Sequence, residues 1–99
     1  MREVERVLPC IADPFKVRVI CRLDRHPDDL AQLAALMDAR YAPGLGVTMA
    51  HVGVREVCFY ATGKVTITQV DDATEAVQLV EALLARAEHQ AFLDAEIAQ

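Results

Sequence analysis

Three cysteines, three histidines and a set of clustered acids are the residues of this 99-residue chain whose types suit chemistry. Cys10, Cys21 and Cys58 are odd in number and widely spaced. That pattern fits neither a disulfide framework nor a Cys-x-x-Cys metal or redox pair, so reduced thiols are expected. A thiol–imidazole couple would need His26 or His51 beside Cys21 or Cys58. Alternation around Cys21 turns that thiol inward, and no spacing brings either histidine to Cys58. His26 is expected to cap or flank a first helix and His89 to lie exposed on a second. Asp24, Asp28 and Asp29 resemble hard-cation ligands, yet no glycine-centred calcium loop accompanies them, and a helix dipole accounts for the last two. There is no Gly-rich phosphate loop. The expectation is a protein that is not an enzyme, with no metal and no cofactor.

A second set of residues suits binding. Lys16 to Leu23 alternates, with Val17, Val19, Cys21 and Leu23 on one face and Lys16, Arg18, Ile20 and Arg22 on the other, which predicts a strand with one buried face. Further on, Glu56, Cys58 and Tyr60 oppose Val57 and Phe59, while Lys64, Thr66 and Thr68 oppose Val65 and Ile67. Lys16, Arg18, Arg22 and Lys64 therefore gather with Tyr60, Thr66 and Thr68 on one sheet face, opposed there by Glu56. Such a basic stripe neutralises phosphates and gives sequence-tolerant, salt-sensitive affinity. A solvated or protein-binding face is the other reading of the same alternation.

These faces need elements to hold them. Val47 to Val52, Arg55 to Tyr60 and Lys64 to Val70 read as three strands, with Gly53 near one bend and Ala61-Thr62-Gly63-Lys64 making the tightest link. Tyr41-Ala42-Pro43-Gly44 sets an earlier turn. Pro27 suits the first turn of a helix with Asp28 and Asp29 at its positive end, and Leu30, Leu33, Ala34 and Met37 carry that helix to about Asp38. Asp72 with Glu75 three residues on starts a longer helix. Its apolar stripe is Val77, Val80, Leu84, Ala87 and Ala91, reinforced by Leu83 and Phe92. Residues 1–15, punctuated by Pro9 and Pro14, read as an arm or an extra strand, ahead of a core at 16–97.

Composition bounds the rest. The chain is 54% hydrophobic with a net charge of −5, sufficient for one domain with a single core. The acids Asp71, Asp72, Glu75, Glu81, Glu88, Asp94 and Glu96 face only Arg86 in the last segment. An acidic helix face explains that imbalance and leaves room for a basic surface elsewhere. No segment approaches the roughly 18 apolar residues of a membrane span, and Glu3, Glu5 and Arg6 interrupt any signal-peptide run, so a cytoplasmic protein is expected.

The order strand, helix, three to four antiparallel strands, helix gives an α+β domain with both helices on one face of a curved sheet. The Ala39-Arg40-Tyr41-Ala42-Pro43 turn, the Cys58-Phe59-Tyr60-Ala61-Thr62-Gly63-Lys64 hairpin and the strand into an acid-capped helix resemble a single repeat of the TATA-box-binding protein fold, in a prokaryotic single-domain form. The resemblance spans roughly Lys16 to Ala87. It implies DNA binding in the minor groove or along the backbone through the open concave face, and a homodimer joined along 16–23 that rebuilds a two-repeat saddle. A monomer whose edge is protected by residues 1–9 or by charge is the competing assembly. Tyr60 matches the family's base-wedging phenylalanine, Leu45 falls near the second wedge, and Thr66 and Thr68 match groove-facing positions. Lys16, Arg18, Ile20 and Arg22 stand on the first strand, where the family reads bases, and Cys58 shares their face. Leu8-Pro9-Cys10, Lys16 to Cys21 and Leu23-Asp24 also look like the N-terminal module of certain prokaryotic iron-sulfur proteins. That kinship implies a protein-interaction or dimerisation module with no DNA role and no cluster on these cysteines.

Overall fold

Alternation governs the centre of the sheet. Val19 and Cys21 are fully buried while Arg18 before them and Arg22 after them are exposed and Ile20 between them is half-buried, and the same inward register recurs at Val57, Phe59, Val65 and Ile67. The computed structural model describes residues 3–11, 15–24 and 29–97. Its elements are β1 (Glu3–Pro9), β2 (Val17–Arg22), α1 (Leu30–Met37), β3 (Arg40–Ala42), β4 (Val47–Val52), β5 (Arg55–Tyr60), β6 (Lys64–Val70) and α2 (Ala73–Ile97). One antiparallel sheet runs in the order β1-β2-β6-β5-β4-β3. The fold is therefore α+β, an open six-stranded sheet with two helices packed on it.

A glycine with positive φ stands at each of three reversals. Gly53 has φ 64° and Val54 does not share the positive sign, which is the pattern of a two-residue type II′ hairpin and pins Val52 opposite Arg55. Gly63, at φ 90°, closes the β5–β6 link with its amide donating to the Tyr60 carbonyl. The first reversal differs from expectation. Tyr41 and Ala42 belong to β3, opposite Thr48 and Val47, and the turn occupies 43–46. Gly46, at φ 62°, supplies the left-handed residue that ends this turn, two positions later than Gly44.

Helix α1 starts later than the sequence suggests. Asp29 is its N-cap rather than a first-turn residue, and its carboxylate accepts from the Ala31 and Gln32 amides at 3.0 and 3.1 Å. Pro27, Asp28 and His26, expected at the start of this helix, lie outside the described residues, as does Pro14. At the other end Asp38 adopts φ 57° and terminates the helix, with the Ala39 amide donating to the Ala34 carbonyl. Asp72 caps α2 by accepting from the Glu75 amide at 2.8 Å, while Glu75 reaches back to the Asp71 amide at 3.0 Å. Arg55 of β5 binds Glu75 as well and ties the helix start to the sheet.

The helices share one sheet face and touch each other. Leu30 and Met37 of α1 and Ala76, Val80, Leu83 and Ala87 of α2 join the inward strand residues in one core. Thr48 is buried among them, its hydroxyl donating to the Leu30 carbonyl at 2.6 Å. Phe92 does not extend the stripe and is 61% exposed. Five residues past Ala87 it has turned about 140° around the helix, and α2, about 37 Å long, has by then run past its buried contacts. Ala91, one turn past Ala87 and on nearly the same face, is exposed because the helix has by then run past its buried contacts.

Residues 3–9, expected as an arm or a strand, form β1 along β2. Both edges of β2 are thereby paired, to β1 and to β6. A two-fold pairing along 16–23 has no open edge in this arrangement. The sheet edges are β1 and β3. Among the described residues no helix is long and apolar enough to cross a membrane.

Candidate nucleic-acid interface

Residues paired across antiparallel strands share a face, so the registers arrange the helix-free face as three transverse rows. The first holds Leu8, Arg18, Thr68, Glu56 and His51. The second holds Arg6, Ile20, Thr66, Cys58, Met49 and Arg40. The third holds Arg22, Lys64, Tyr60, Val47 and Ala42. The middle row is uncharged at its centre and carries an arginine on each edge strand. Five strand steps separate those arginines, roughly 24 Å.

Two irregularities shape this face. Between Val4 and Arg6 the register to β2 shifts, leaving Glu5 extra in β1. Between Val17 and Val19 it shifts again, so that Thr68 and Gln69 of β6 together oppose Arg18. Gln69 adopts φ 66°, a left-handed conformation unfavourable to a residue with a Cβ by about 1–2 kcal/mol. The bulge turns Thr68 and Gln69 toward a hollow of about 480 Å³, bordered also by Leu8, Pro9, Arg18, Glu56 and Tyr60.

The expected binding residues divide into several groups. Arg18, Ile20, Cys58, Tyr60, Lys64, Thr66 and Thr68 all lie on the open face, as alternation requires. Arg18 is exposed and makes no ion pair among the described residues, whereas Lys64 sets its ammonium over the Tyr60 ring, 5.4 Å from the centroid. Arg22 is engaged by Glu5 at 3.4 Å and by the Thr62 carbonyl at 3.3 Å. Lys16 stands one register step beyond the Val17–Val70 pair, bound to Asp71, so it adds no uncompensated charge to the rows. Its ammonium holds the Asp71 carboxyl below the usual range. Leu45 sits in the 43–46 turn, 74% exposed and off the rows altogether.

Cys58 belongs to the face yet is scarcely accessible. Its thiol donates to Glu56 Oε1 at 3.5 Å, and Glu56 Oε2 lies 3.1 Å from His51 Nε2. Burial raises the thiol above its ordinary value of 9.0, with Glu56 adding to the rise while Thr66 and Arg18 oppose it. The carboxylate therefore stands between histidine and cysteine, an arrangement that keeps the thiol protonated.

Arg6, Arg40, Met49 and His51 were not among the expected binding residues. His51 was recoverable by counting outward from the Gly53-Val54 loop, since Val52 opposite Arg55 forces His51 opposite Glu56. Arg6 and Arg40 depend on two edge strands that alternation does not reveal. Among the described residues no group of three or more His, Cys, Asp or Glu is placed to hold a metal ion. Comparison with protein-family models, with curated proteins and with solved structures finds no match to this chain.

Proposed function

We propose that this chain is a non-enzymatic nucleic-acid-binding module that works through the open sheet face, as a single repeat of the kind its turns and hairpin resemble. The observation that carries the reading is a segregation of charge. Arg6, Arg18, Arg40 and Lys64 stand on the helix-free face without ion pairs among the described residues, with Glu56 as the acid in their rows, while Glu75, Glu81, Glu88, Asp94 and Glu96 lie on α2 against the single base Arg86. A face of this sign attracts a polyanion, and the helix layer of opposite sign orients the approach. Tyr60 adds a ring on which a base can rest, and half-buried Thr68, two rows away, adds a hydroxyl, whereas Thr66 between them is buried.

Anisotropy of labelled double- and single-stranded DNA, titrated across salt, tests this. Binding should weaken steadily as salt rises, and Arg18→Glu should weaken it further by losing one phosphate contact and adding a repulsion. Absence of binding at low salt would remove the reading.

A protein-interaction role is the second reading, favoured by large apolar side chains that stand exposed. Phe92 and Leu93 on the free end of α2, and Val4 and Val7 on β1, are exposed. Light scattering at micromolar concentration bears on assembly: with β1 seated on β2 a monomer is expected, and a dimer would mean that another surface or a displaced β1 joins the copies.

A further inference from the structure

We infer that the hollow at the β1 end of the open face seats an unpaired nucleobase, so that the chain prefers single strands to duplex; this rests on the nucleic-acid reading above. At about 480 Å³ the hollow falls within the size range of small-ligand pockets. Its walls supply what a nucleotide unit needs. Tyr60 offers an aromatic surface, Leu8 and Pro9 an apolar side, and Arg18 a guanidinium that has no carboxylate ion pair among the described residues and can meet the adjoining phosphate. Glu56 accepts from a ring N–H or exocyclic amine, and the Gln69 amide both donates and accepts.

A base inside a duplex cannot enter, because its hydrogen-bonding edge is taken and its faces are stacked. An unpaired base in a flexible strand can swing in while the flanking phosphates lie along the arginine-bearing rows. The backbone supports the assignment independently. Gln69 is held in a left-handed conformation at a bulge, and that bulge turns Thr68 and Gln69 into the hollow opposite Arg18. A strained residue retained beside a cavity marks a place where side-chain position matters more than local stability.

The experiment compares three labelled probes at one low salt concentration: oligothymidylate, its duplex with oligoadenylate, and an abasic strand of equal length with the same phosphates. Oligothymidylate should bind about tenfold tighter than the abasic strand, and also tighter than the duplex. Tyr60→Leu and Gln69→Gly should each bring the ratio of oligothymidylate to abasic-strand affinity down to about one. Gln69→Gly removes the Cβ from the left-handed position, so loss of fold does not confound it. Equal binding of the abasic strand, or tighter binding of the duplex, would overturn the base seat while leaving a phosphate-binding face in place. If none of the three probes binds, the nucleic-acid reading fails and the seat with it.

Discussion

Cys21 and Cys58 lie on opposite faces of the sheet, and both thiols are raised above 9.0, chiefly by burial. The unfolded chain ionises them first, so it binds fewer protons than the native state once pH passes the ordinary thiol value. Stability present below pH 9.0 is then lost as pH climbs toward the native values. Urea denaturation at stepwise increasing pH should show this decline, and the double variant Cys21→Ala, Cys58→Ala should show a shallower one. An unchanged slope in the variant would assign the decline to other groups. Asp71 acts at the opposite end: Lys16 lowers its carboxyl, so its contribution is present above the ordinary 3.8 and is lost as pH falls below it. Accessibility gives a parallel test, since a maleimide should label half-buried Cys10 in the native protein and reach Cys21 and Cys58 only on unfolding.

At the scale of elements, caps and bulges set the energetics that periodicity does not reveal. Asp29→Ala leaves two α1 amides without their acceptor and should cost about 1 kcal/mol in chemical denaturation. Gln69→Gly exchanges a strained φ for a more flexible unfolded chain, and stability should hold or rise by up to about 1 kcal/mol. The same distinction explains what could be read from the residues. The strands at 55–60 and 64–70 coincide with expectation because Val57 and Phe59, then Val65 and Ile67, alternate inward on either side of Gly63, and the strand at 47–52 because Gly46 and Gly53 bound it. β3 was hidden because three residues are too few to show a period of two. β1 stayed undecided because the extra Glu5 spaces inward Val4 and Val7 three apart, a helical interval rather than an extended one. The site was legible to the same degree. Arg18, Tyr60, Thr66 and Thr68 follow from alternation within single strands, whereas Arg6, Arg40 and the hollow exist only once six strands are in register.

For the whole molecule, the decisive element is β1, because it both walls the hollow and occupies the edge of β2. It is also poorly covered: Val4 and Val7 point toward the helix side yet remain 38% and 49% exposed, where inward residues of β5 and β6 are fully buried. An edge strand with so little apolar cover opens at lower free-energy cost than the global transition. Its amides should therefore exchange with deuterium well before those of β5 and β6, and uniform protection across the sheet would contradict this. Opening has a structural consequence. Removing residues 1–9 bares the β2 edge, with Arg18, Ile20 and Arg22 on its open face, and an unpaired strand edge invites pairing with a second copy. Light scattering should then find the truncated chain self-associating at concentrations where the full chain is monomeric. The two-fold pairing along 16–23 thus becomes a state that β1 suppresses. A truncated chain that stays monomeric and folded would mean that charge alone protects this edge.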